Sequence, residues 1–230
     1  MRHPALLSVA FFVSSAGLAL QSVAGSAIVP EHLTSLAFVW LGFLSGFAFA
    51  ARLSQTAAAD RIWSVIGTLL ACAAVLIALA EPLFALSGQV SAFTASLAAG
   101  LPFLVPSFCV AFLGSLAGKA AVRSDGPHGL VFLVSAAGTF AFFLLGGYWL
   151  VKAIGPGALL AVVAAAYLSL ATAAYSNAGE LRRRRAALGA IAVAVAASLQ
   201  GGGFLTGFCD PGRSYLCFSN EVVQTEGVLR

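Results

Sequence analysis

Seven long apolar runs divided by short polar gaps organise the chain, at roughly residues 5–25, 34–53, 63–86, 93–117, 129–151, 157–176 and 187–207. Each approaches the ~20 residues an α-helix needs to cross bilayer hydrocarbon. The pattern predicts an all-α membrane protein of about seven transmembrane helices, with residues 1–208 as the polytopic helical domain and 209–230 as a short tail. Helix punctuation fits these runs. Pro4 opens the first, Pro30 closes the loop after it, Pro127 and Gly129 lead into the fifth, and Gly155-Pro156-Gly157 makes a tight turn into the sixth.

The fourth run departs from the others because Pro102 and Pro106 lie inside it. Each proline removes a backbone donor and clashes with the preceding turn, so this helix is expected to kink or break. In lipid the freed carbonyls must find partners in protein or in a wet cavity, which turns the disturbed segment toward the bundle interior. Such a segment either marks a solute site, as in transporters with discontinuous helices, or simply bends the helix.

Charge then orients the spans. Arg2 precedes the first; Arg52 and Arg61 flank the gap after the second; Lys119 and Arg123 follow the fourth; Arg182, Arg183, Arg184 and Arg185 follow the sixth. The opposite gaps hold Glu31 and His32, then Gln89, then the single Lys152. By the positive-inside rule the N-terminus is cytoplasmic, and seven crossings put the tail outside, in the periplasm of a bacterial inner-membrane protein. The four arginines read as a topology anchor against anionic headgroups. The alternation requires the first run to be a retained helix, although Gln21 to Ala27 offers a loose small-residue cleavage pattern.

Composition agrees with a lipid setting. Of 230 residues, 60% are hydrophobic and only 9% charged, against about 25% charged in a soluble domain, and the mean hydropathy is +0.99. The net charge of +4 does not point to nucleic acid, because four of the twelve basic residues form the one run beside a span. The lipid bilayer, together with protein partners within it, is the expected surrounding.

Small residues mark faces where helices approach closely. Gly42, Gly46 and Ala50 recur at a spacing of four, as do Gly114 and Gly118, and Ser135, Gly138 and Thr139 do the same service on the fifth run. Close backbone contact holds spans together in lipid, and only small side chains allow it. Trp40, Trp63, Tyr148, Trp149 and Tyr175 fall mostly toward span ends, where amphipathic rings favour the headgroup layer. Ionisable groups within spans are scarce. Glu81, just before Pro82, is the candidate for binding a cation or carrying a proton, unless it reaches water at the outer interface. Gln21 and Gln200 are candidates for hydrogen bonds between helices. Cys72 and Cys109 lie within runs as small apolar side chains. Cys209 and Cys217, with Pro211-Gly212 between them in the external tail, are candidates for a disulfide.

Soluble-enzyme chemistry finds no foothold. His3, His32 and His128 lie in terminal or loop positions on different sides, so no metal site is expected. Gly201-Gly202-Gly203 lies within an apolar run, without the strand and helix that a phosphate-binding loop requires. The chain is therefore expected to be non-enzymatic and without a cofactor.

Some blocks resemble a known family. Gly42-Phe-Leu-Ser-Gly-Phe-Ala-Phe-Ala-Ala-Arg-Leu with Asp60-Arg61 is similar to the glycine-rich helix and Asp-Arg loop of fused major-facilitator/spermidine-synthase proteins. Leu101-Pro-Phe-Leu-Val-Pro-Ser-Phe-Cys-Val-Ala-Phe-Leu-Gly, then Ser135-Ala-Ala-Gly-Thr139, then Trp149-Leu-Val-Lys-Ala-Ile-Gly155, resemble its proline-containing fourth helix, small-residue fifth helix and glycine turn. The resemblance covers roughly residues 5–176 and implies a half-facilitator-like bundle. Neither the family's synthase domain nor its Gly-Gly-Gly-Asp-Gly loop follows within these 230 residues, so no catalytic residue carries over. Three functions are consistent with this: an accessory subunit or scaffold of a membrane complex, a carrier of a small and polyamine-like cation, or a membrane anchor for a separately encoded spermidine-synthase-like enzyme.

Overall fold

The computed structural model describes residues 4–28, 32–56, 58–80, 92–123, 128–154 and 156–200. Among them the chain is wholly helical: α1 (Pro4–Ile28), α2 (His32–Thr56), α3 (Ala59–Ala78), α4 (Ala92–Arg123), α5 (His128–Leu145), a π-helical turn (Gly146–Leu150), α6 (Val151–Ile154), α7 (Pro156–Asn177) and α8 (Leu181–Gln200). The helix runs on from α5 through the π turn into α6, so the described residues form seven rods.

Five of these are long and apolar enough to cross a membrane: Ala5–Ala24, Leu36–Gln55, Asp60–Ala78, Gly100–Ala120 and Gly157–Asn177. The apolar stretch of α5, Phe132–Leu145, is shorter. The described part of α8 begins with the arginine run, which lowers its apolar content; the rest of the seventh run, from residue 201, lies outside the described residues. Arg182 to Arg185, read from sequence as part of a gap, are instead the first turns of α8 and are exposed.

Packing centres on α1, α3, α4 and α7. α1 touches α4, α5 and α7; α3 lies against α7, α4 and α8; α2 rests chiefly on α4. The core is aliphatic and aromatic, with Leu7, Ile66, Leu70, Phe112, Leu116 and Tyr167 almost fully buried. The break expected in the fourth run does not interrupt the helix, because α4 continues from Ala92 to Arg123 through both prolines.

The α7–α8 connection needs only three residues. Gly179, at φ 70°, takes the left-handed conformation that glycine adopts without a Cβ penalty. Its N–H reaches the Ser176 carbonyl at 3.1 Å and the Glu180 N–H reaches that of Tyr175 at 3.0 Å, which closes the orphan carbonyls of α7 in a Schellman motif.

Candidate functional site

The seam between α2 and α4 is built from glycine. A Cβ added at Gly42 would lie 2.5 Å from the Leu104 carbonyl oxygen and 2.8 Å from Ser107 Cβ; at Gly46 it would lie 2.6 Å from the Phe108 carbonyl oxygen. The two carbonyl oxygens are backbone and cannot swing aside, so the two helices meet at a distance only glycine permits. Ala50 completes the same face, fully buried. Gly114 and Gly118 do something different, since each receives an aromatic ring instead of a helix backbone: Phe11 of α1 at Gly114 and Phe132 of α5 at Gly118. Gly138 likewise lies under the ring of Phe12.

The proline segment has a specific partner. Pro106 has no N–H, so the carbonyl four residues earlier, that of Pro102, lacks its helical donor. Gln21 of α1 supplies one: its Nε2 donates to the Pro102 carbonyl at 2.9 Å. The glutamine is 1% exposed and its Oε1 has no hydrogen-bond partner among the described residues. About two helix turns away along α1, the Tyr167 hydroxyl of α7 donates to the Ser14 carbonyl at 3.0 Å. These two bonds tie the polar side of α1 to α4 and α7, and Gly17 between them leaves room for the Tyr167 ring.

The other side of α1 borders an open cleft of about 640 Å³, floored by α1 and α4 and walled by α2 and α5. Phe43 stands for α2, Val110 for α4, and α5 contributes Phe132, Phe140 and Phe143. Four hydroxyls line it, and each is spent within the protein. Ser135 Oγ donates to Ser15 Oγ at 2.9 Å, Ser15 to the Phe11 carbonyl, Ser22 to that of Leu18, and Thr139 to that of Ser135. Among the described residues no ionisable side chain lines the cleft.

Polar contacts elsewhere gather at one end of the bundle, where α2 and α4 finish and α3 and α8 begin. Ser64 of α3 donates to Glu180 Oε2 at 2.9 Å, Glu180 faces Arg184 at 3.7 Å, and Thr68 shares a 3.0 Å hydrogen bond with Tyr175. The Arg184 guanidinium lies 5.7 Å from the centroid of the Tyr175 ring. Lys119 Nζ donates to Ser54 Oγ and so joins the ends of α4 and α2. Trp40 and Trp149 are exposed as interfacial rings should be. Trp63 and Tyr175 instead are buried, Tyr175 because its ring packs on Gly67 while its hydroxyl finds Thr68.

Glu81, Cys209 and Cys217 lie outside the described residues. Cys72 and Cys109 are free thiols, exposed and buried respectively. Among the described residues no His, Cys, Asp or Glu cluster could hold a metal. Sequence reading did not foresee Ser14, Ser15, Ser64, Tyr167 or Glu180 as contact residues. The Gln21–Pro102 pairing had a usable signal, an amide inside one span and a carbonyl orphaned by proline in another. The chain matches no protein family, no curated protein and no solved structure.

Proposed function

We infer that the chain is a non-enzymatic, seven-span protein of the bacterial inner membrane, N-terminus in the cytoplasm and tail outside, acting as an accessory subunit or scaffold of a membrane complex. Its order of elements resembles the membrane half of the fused major-facilitator/spermidine-synthase proteins. The observation that carries the functional reading is the chemistry of the cleft. A carrier of a polyamine-like cation needs negative groups facing its path, and the described lining of the cleft is apolar with neutral hydroxyls and no carboxylate. The outer face of α2, with Trp40, Leu41, Leu44 and Phe47 exposed, supplies a broad surface for a partner span.

Two measurements test this. In proteoliposomes the purified chain should show no polyamine flux, and Glu81→Gln should change nothing. Flux that disappears on that substitution would establish the carrier instead. In mild detergent, a partner chain should crosslink through residues introduced on the outer face of α2. Crosslinks confined to lipid would remove the subunit reading.

A further inference from the structure

We propose that the cleft between α2 and α5 is a binding site for one acyl chain of an anionic phospholipid, with the phosphate beside Lys119. The cleft is apolar, open, and within the ~300–1,000 Å³ range of sites that enclose ligands of modest size. Its length fits one leaflet. Lining residues run from Phe11 to Ser22 on α1 and from Phe132 to Phe143 on α5, a helical rise of about 16 Å at ~1.5 Å per residue. That is about half of a ~30 Å hydrocarbon core.

Position and charge select the lipid. The cleft begins at the Phe11–Phe132 ring pair, whose centroids are 5.6 Å apart, and the Phe132 ring lies against Gly118, the residue before Lys119. Lys119 is exposed and its ammonium is held toward α2 by Ser54, a neutral partner. No carboxylate offsets its charge among the described residues. An acyl chain entering from that end therefore brings its headgroup to a cation that no described carboxylate pairs with. The hydroxyls along the cleft retain acceptor lone pairs but no free donors, which suits a hydrocarbon chain and disfavours ligands rich in carbonyl acceptors. This site is independent of the partner surface on α2 and of the arginines of α8.

The test uses the full chain in detergent with added phosphatidylglycerol or phosphatidylcholine of matched acyl chains, read by native mass spectrometry. The wild type should retain one phosphatidylglycerol in preference to phosphatidylcholine. Lys119→Gln should reduce that preference about fivefold, the effect of one lysine near an anionic headgroup. Ala136→Trp, which fills the cleft from an exposed position, should abolish retention of both lipids, while Leu44→Trp on the outer face of α2 should leave it intact. A phosphatidylglycerol carrying a mid-chain photoreactive group checks the site without any substitution, and its adducts should map to Phe43, Ala136 or Phe140. Adducts spread evenly over the α2 and α5 outer faces, an unchanged lipid preference in Lys119→Gln, or a second copy of the chain occupying the cleft would each overturn the proposal.

Discussion

α1 and α2 are both 25 residues long and nearly equal in hydropathy, yet 67% of the apolar span of α1 is buried against 17% for α2. Hydrophobicity cannot separate them, since lipid tails are as apolar as leucine. What separates them is the kind of residue each presents inward. α1 carries Ser14, Ser15, Gly17 and Gln21 into contact with α4, α5 and α7, whereas α2 places glycine and alanine on a single face and large apolar side chains elsewhere. Inside a membrane bundle, polar and small residues mark the interior.

The α2 seam should be the most sensitive place to challenge that contrast. Gly46→Leu would force a side chain into the Phe108 backbone, and we expect a loss of about 1–3 kcal/mol, the usual cost of overpacking, read as a lower thermal midpoint in detergent or release of α2 to protease. A tolerated Gly46→Leu would show that α2 is not held by that contact. Next in size, Gln21→Leu should cost up to about 1.7 kcal/mol, the upper end of measured interhelical hydrogen bonds in membranes. Pro106→Ala in the same chain should recover most of it by returning an N–H to the Pro102 carbonyl. Additive losses in that double-mutant cycle would contradict the pairing.

Smaller effects follow. Tyr167→Phe removes one bond to the Ser14 carbonyl and should cost about 0.6 kcal/mol, with no change of oligomeric state by light scattering. Leu44→Val on the outer face of α2, 66% exposed in the wild type, should shift stability by less than about 0.5 kcal/mol. A larger loss there would mean that a partner already covers this face.

Much of the helix order was legible because span length and punctuation are local properties. The predicted limits of the second, fifth and sixth runs fall within a few residues of α2, of the α5–α6 rod and of α7. The glycines at 42 and 46 were also readable, because a spacing of four places them on one face. Other features depend on which helices become neighbours, and no local pattern encodes that. Ser15 meets Ser135 across 120 positions, and Ser64 meets Glu180 across 116. Of the kink or break expected at Pro102 and Pro106, the break does not appear. The α4 helix persists because a neighbouring side chain, not the helix itself, satisfies the carbonyl that Pro106 leaves bare.

That last arrangement has a consequence for how this sequence can drift. Pro106 creates the vacancy that Gln21 fills, and neither residue has the same value without the other. A lineage that replaced Pro106 with a residue bearing an N–H would release position 21 to become apolar. One that first lost Gln21 would carry a bare carbonyl until Pro106 followed. Positions 21 and 106, distant in the chain, should therefore change as a pair among descendants of this sequence.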